Sequence, residues 1–182
     1  VIVALNQKYK TNLNNKELCK IGVKIGADVP FCICGGTLLA QGIGEVLNPV
    51  KPLRKCFILL AKPQTGVNTG NAFKAFDENG KVHTPDKLGM LYAMQSRNLE
   101  QICAKMENVF EQFIEVPERV YIKEIMRSNG ALGTCMSGSG PTVFGIFLNK
   151  EHAEKSAEEL KKYAKDIHIC TPVSKGCKIE SE

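Results

Sequence analysis

Residues 131–148, "ALGTCMSGSGPTVFGIFL", restrict the fold more than any other stretch of the chain. Two apolar runs flank a Gly-Ser-Gly-Pro break, and Pro141 followed by "TVFGIF" sends the chain into an extended segment, so the pattern reads as strand, turn, strand. A hairpin this apolar needs more strands beside it and helices to cover it. "KCFILLAKP" supplies a buried strand over 56–61 closed by Pro63, and "DIHICTPV" supplies another near the end. A short helix is expected over 69–76, stopped by Asn79-Gly80, and a second in "TPDKLGMLYAMQSRN" through Leu88, Leu91 and Met94. The spacing of Leu99, Ile102, Cys103, Met106, Val109, Phe110 and Phe113 draws one apolar stripe and predicts a single long helix. Pro117 opens the next helix, through Ile122, Ile125 and Met126 to Asn129-Gly130, and "KEHAEKSAEELKKYAK" is a charged surface helix. Strand, helices, strand-turn-strand, helix, strand is the order of an α+β sandwich of the ferredoxin-like type.

The first fifty residues follow another pattern. "VIVALNQKY" reads as the back half of an amphipathic helix with no cap and no initiating Met, so the chain is expected to begin inside an element. Asn14 and Asn15 are caps for a helix carrying Leu18, Ile21 and Ile25 and ending on Gly26. "FCIC", "TLLAQGIG" and "EVLNPV" are expected as strands, punctuated by Gly35-Gly36, Gly42 and Gly44. The expected boundary separates residues 1–52 from a C-terminal domain of residues 53–182.

Composition narrows the function. With 43% apolar and 24% charged residues and no apolar run near 20 residues, the chain has the make-up of a soluble globular protein rather than a membrane-spanning one. A net charge of +5 suits small anions. Nucleic acid is not expected as a partner, because the 7% aromatics do not gather with the basic residues, and Phe144 and Phe147 fall on opposite faces of a strand. The eight Cys lack CxxC spacing and a His at metal spacing, which fits buried free thiols in the cytoplasm and no metal site.

Two stretches carry chemistry. "GTCMSGSGPTV", residues 133–143, exposes successive backbone N–H groups where glycines let a phosphate approach. It is not a P-loop, since it lacks Gly-Lys-Ser/Thr and leads into a strand rather than a helix. "GADVPFCICGG", residues 26–36, places Asp28 at what reads as a buried helix-to-strand junction. Asp28 is either a turn residue accepting a nearby N–H or an acid that accepts the proton of an attacking hydroxyl.

"GADVPF" with "GGTLLAQGIGEVL" behind it, and "GTCMSGSGPTVFGIF" about a hundred residues on, together resemble two signatures of the GHMP kinases, the superfamily of galactokinase, homoserine kinase, mevalonate kinase and phosphomevalonate kinase. Within it, the first is similar to that of the diphosphocytidyl-methylerythritol kinases of the non-mevalonate isoprenoid route. The resemblance covers essentially the whole chain. It implies a two-lobed kinase moving the γ-phosphoryl of ATP, accompanied by Mg²⁺, to a substrate hydroxyl, with a remnant of the nucleotide-binding lobe ahead of the sandwich domain. It places the acid-base role on Asp28 and a phosphate-proximal role on the turn Ser137, Gly138, Ser139 and Gly140. It suggests Thr69 near the substrate and Phe73 stacked on a cytosine, although Thr69 reads equally well as a helix cap and Phe73 as core. The family's nucleotide loop and catalytic Lys are expected upstream of Val1, so the chain by itself is not expected to bind ATP tightly or turn over. Another GHMP-type kinase, or a non-catalytic α+β binding module, are the alternatives.

Overall fold

The structure, a computed structural model, describes residues 1–79 and 82–178. It contains two compact units, Val1–Pro52 with the tail from Val173, and Leu53–Pro172. The tail, expected with the C-terminal domain, thus groups with the first unit.

In the first unit, α1 (Ile2–Lys8) and α2 (Asn15–Gly22) are followed by α3 (Val29–Cys34) and a hairpin of β1 (Leu38–Gln41) and β2 (Val46–Pro49). Asn14 and Glu17 form a capping box at α2. The Asn14 side chain accepts the Glu17 N–H at 3.1 Å and the Glu17 carboxylate accepts the Asn14 N–H at 2.8 Å. Helix α2 stops at Gly22, and Ile21 and Ile25, which the spacing put on an apolar face, are exposed.

The expectation of a strand for "FCIC" is overturned, because residues 29–34 are helical. Pro30 lies in the first turn, where its missing N–H removes no helical bond, and Pro30 with Ile33 forms the buried stripe. Gly35 ends the helix at φ +64, a region that glycine enters freely. A Cβ there would lie 1.8 Å from the Gly176 nitrogen, so the close approach of the tail also requires glycine. The Cys177 N–H donates to the Cys32 carbonyl at 3.2 Å.

The second unit is built on a four-stranded antiparallel sheet in the order β4-β5-β3-β6, with β3 (Phe57–Pro63), β4 (Gly133–Met136), β5 (Val143–Phe147) and β6 (Ala164–Cys170). The unit's first strand is central, which is the ferredoxin-like arrangement expected from the element order. The helices are α4 (Thr69–Glu78), α5 (Lys87–Ser96), α6 (Leu99–Ala104), α7 (Pro117–Ser128) and α8 (Lys150–Leu160). Leu59, Ala61, Val143 and Phe147 from the sheet close a core with Ile122 and Met126 of α7 and Ala153 and Leu160 of α8. Helix α4 ends with Asn79 as its C-cap, and Gly80 lies outside the described residues.

The single long helix expected over 99–113 is two pieces: α6, then a 3-10 turn at Val109–Gln112. Asn98 caps the first and Asn108 the second, each side chain accepting a backbone N–H two or three residues on. The apolar residues keep their packing while the backbone breaks. Phe110 and Phe113 still meet Phe76, with ring centroids 6.2 and 6.0 Å apart. A side chain that satisfies distant carbonyls outweighs local helical periodicity here, as described below.

Candidate functional site

The glycine-rich turn between β4 and β5 is defined by its hydrogen bonds. The Ser137 N–H donates to the Thr142 carbonyl at 2.8 Å and the Gly140 N–H to the Ser137 carbonyl at 2.9 Å. Gly138 and Gly140 have φ of +56 and +88. The Asn108 carboxamide donates to two turn carbonyls, Met136 at 2.8 Å and Gly138 at 2.7 Å. From the other side, Glu111 Oε1 accepts the Met136 N–H at 2.6 Å while its Oε2 pairs with Lys123. Arg119 braces this strut by donating to the carbonyls of Ile114, at 2.8 Å, and Glu111, at 3.2 Å. Among the described residues the N–H groups of Gly138 and Ser139 have no acceptor. Two adjacent unpaired N–H groups on a glycine turn are the elements of an anion-binding concavity.

The sequence-derived residues of this unit meet. Thr69 Oγ1 and Ser139 Oγ lie 3.0 Å apart, although 70 positions separate them. Thr69 is not the helix cap, since Asn68 holds that place and accepts the Asn71 N–H at 3.0 Å. Phe73 is not core either. It is 54% exposed, and its ring meets Phe110 edge-on at 5.1 Å and 82°. A ring more than half exposed keeps surface available for stacking. A cavity of about 510 Å³ lies under the turn, lined by Met106, Asn108, Phe110, Met136, Gly138 and Phe144 among others. Burial pushes the nearby Cys135 thiol up to about 11, with the Glu111 charge adding to the effect, so it remains protonated.

Asp28 belongs to the first unit. It occupies the N-cap position of α3 with φ −83 and ψ −11, and its side chain makes no cap hydrogen bond. The junction is not buried as expected: Asp28 is exposed, and it leads into a helix. Among the described residues its carboxylate has no hydrogen-bond or ion-pair partner, so the turn-residue explanation finds no bond to rest on.

Sequence reasoning missed Asn108, Glu111, Arg119 and Lys123. A legible signal existed for the first two, because Asn followed three residues later by Glu is a capping pattern inside an otherwise continuous apolar stripe. Among the described residues no group of three or more His, Cys, Asp or Glu could hold a metal ion, and no helix is long and apolar enough to cross a membrane.

The sheet order with a helical layer defines a ferredoxin-like α+β sandwich, and residues 90–166 match the family described as GHMP kinases C terminal. The chain belongs to the GHMP kinase family. A 4-diphosphocytidyl-2-C-methyl-D-erythritol kinase of Caldicellulosiruptor bescii is 42% identical over 173 residues, covering 94% of this chain and 60% of that protein. The chain therefore spans about three-fifths of the length of the curated relatives it matches. Among solved structures, a homoserine kinase from Cytophaga hutchinsonii superposes with a TM-score of 0.78 at 20% identity, covering 96% of this chain and 62% of that one. A 4-(cytidine 5'-diphospho)-2C-methyl-D-erythritol kinase superposes with a TM-score of 0.66 at 25% identity, with the same coverage of each chain. The first of these likenesses speaks to the fold alone.

Proposed function

We propose that the complete protein carrying this chain transfers the γ-phosphoryl of ATP to the 2-hydroxyl of 4-diphosphocytidyl-2-C-methyl-D-erythritol. The observation that carries this reading is 42% identity across 94% of the chain to an enzyme of that name. In the transfer, the acceptor oxygen bonds to the γ-phosphorus as the bond to the β-phosphate oxygen breaks, ADP leaves, and the hydroxyl proton passes to Asp28. An exposed carboxylate without a cap or turn partner suits that role, because nothing in its own chain competes for the incoming proton.

The unpaired N–H groups of Gly138 and Ser139 are the donors for a phosphate oxygen, and the glycines allow its close approach. Thr69, beside Ser139, contacts the substrate, and the exposed ring of Phe73 stacks on the cytosine. Mg²⁺ accompanying the nucleotide would neutralise charge on its phosphates. A cytoplasmic reaction is the reading that eight Cys without CxxC spacing support.

The test is an ADP-release assay on the complete gene product with ATP, offering the cytidyl substrate, homoserine and mevalonate in parallel. Turnover of the cytidyl substrate with at least about a hundredfold preference in kcat/KM is expected, as for a site built to hydrogen-bond and stack one substrate. A preference for homoserine or mevalonate would overturn the substrate assignment.

A further inference from the structure

The backbone of the glycine-rich turn does not hold itself in place. Its internal bonds are only Ser137 N–H to Thr142 and Gly140 N–H to Ser137, while Gly138 and Gly140 both stand at positive φ, where glycine has many alternatives. What removes those alternatives is a side chain from another element. Asn108, half-buried at the cap of the 3-10 turn, places both hydrogens of one amide nitrogen on the carbonyls of Met136 and Gly138. Its Oδ1 is fixed in turn by the Phe110 N–H at 2.9 Å. Both donors and one of the two acceptor positions of the carboxamide are used, so the side chain has one orientation and imposes it on the turn. With the two carbonyls drawn toward Asn108, the N–H groups of Gly138 and Ser139 are left as the turn's unsatisfied donors.

We propose that Asn108 is a positioning residue for phosphoryl transfer: it fixes the Ser137–Gly140 turn in the conformation that presents the Gly138 and Ser139 N–H groups to a phosphate oxygen. It acts through the backbone of the turn. This inference rests on the kinase reading above, and it goes beyond it by assigning the order of the donor turn to a residue outside the turn.

The experiment uses the complete protein and two variants, Asn108→Ala and Asn108→Leu. Leucine keeps asparagine's branching and number of side-chain heavy atoms without its donors, so it separates loss of packing from loss of hydrogen bonds. Amide hydrogen exchange is read at Ser137 and Gly140, and kcat and KM are read for both substrates. Both variants are expected to exchange at least about tenfold faster at those two amides, as losing two hydrogen bonds implies, with exchange in β3 and β5 unchanged. Both are expected to lose about 10- to 100-fold in kcat with KM for the hydroxyl substrate changed less than about threefold, the signature of misplaced transition-state donors. Wild-type exchange and wild-type kcat in the leucine variant would overturn the inference, as would a loss confined to KM. An unmodified protein with no kinase turnover fails differently: it overturns the reading of function, while the exchange rates still report whether Asn108 orders the turn.

Discussion

Glu111 and Lys123 make the strut behind the glycine-rich turn, and cutting it gives a worked expectation. Their side chains are 19% and 15% exposed, Oε2 of Glu111 pairs with the Lys123 ammonium, and Oε1 accepts the Met136 N–H at 2.6 Å. Glu111→Ala leaves two groups stranded. The Met136 N–H loses a bond to a charged acceptor, worth about 1.5–3 kcal/mol. The Lys123 ammonium loses its counter-charge, which costs about 3–5 kcal/mol in a fully buried pair and about 0–1 on the surface. Exposure near one-fifth puts that second cost at about 1–2 kcal/mol, so Glu111→Ala is expected to destabilise the second unit by about 2.5–5 kcal/mol. Lys123→Met leaves the carboxylate its Met136 bond and is expected to cost about 1–2 kcal/mol. The double variant Glu111→Ala with Lys123→Met strands no charge and is expected to fall short of the sum of the two single costs by at least about 1 kcal/mol. Urea unfolding followed by circular dichroism, with m held constant across the set, reads all three. Costs that add within about 0.3 kcal/mol, or a Glu111→Ala cost below about 1 kcal/mol, would refute the strut.

Other expectations follow from single groups. Burial pushes the Cys103 and Cys135 thiols up to about 11. At pH 8 roughly one in a thousand of each is then a thiolate, so alkylation of the native protein should label the exposed Cys32, Cys34, Cys170 and Cys177 and reach those two only after unfolding. Glu118 is held below the usual carboxylate range, first by its own backbone N–H and then by the Thr65 hydroxyl, which donates to it at 2.8 Å. A lowered carboxyl contributes stability that is present above its unfolded pKa and is lost as pH falls through the folded one. Thr65→Val should therefore destabilise at pH 7, by about 1 kcal/mol in urea titrations, and the difference should shrink by pH 3. Phe73→Ala, at an exposed ring, should cost less than about 1 kcal/mol of stability while raising KM for the cytidyl substrate about tenfold, the loss of one stacking contact.

The second unit was legible because its strands are apolar runs closed by Gly or Pro, and that punctuation survives folding: Pro63 ends β3, and the Gly-Ser-Gly-Pro break separates β4 from β5. The misreading at "FCIC" has a physical origin. Four apolar residues in a row carry neither a twofold nor a 3.6-fold period, and only Pro30, in a helix's first turn, pointed to helix. The stripe through Phe113 correctly named residues that pack together but not the backbone under them. Asn108 finds carbonyls 28 and 30 positions away, and no local pattern encodes such partners. The meeting of Thr69 with Ser139 was equally invisible in composition or period and became visible only through the fold. The bland readings gave way separately: Asn68 holds the cap that Thr69 was read as, and Phe73 lies on an exposed face of α4.

The central claim is that Asp28 takes the proton in phosphoryl transfer. Single-turnover phosphorylation of the cytidyl substrate by the complete protein, wild type against Asp28→Asn, tests it most directly, because the substitution keeps shape and removes only the basic charge. A fall of about 10²–10⁴ in rate, with substrate KM nearly unchanged and thermal unfolding within a degree or two of wild type, is what the exposed and unpartnered carboxylate predicts. A rate within a few-fold of wild type would contradict it and return Asp28 to the structural role for which the fold offers no bond.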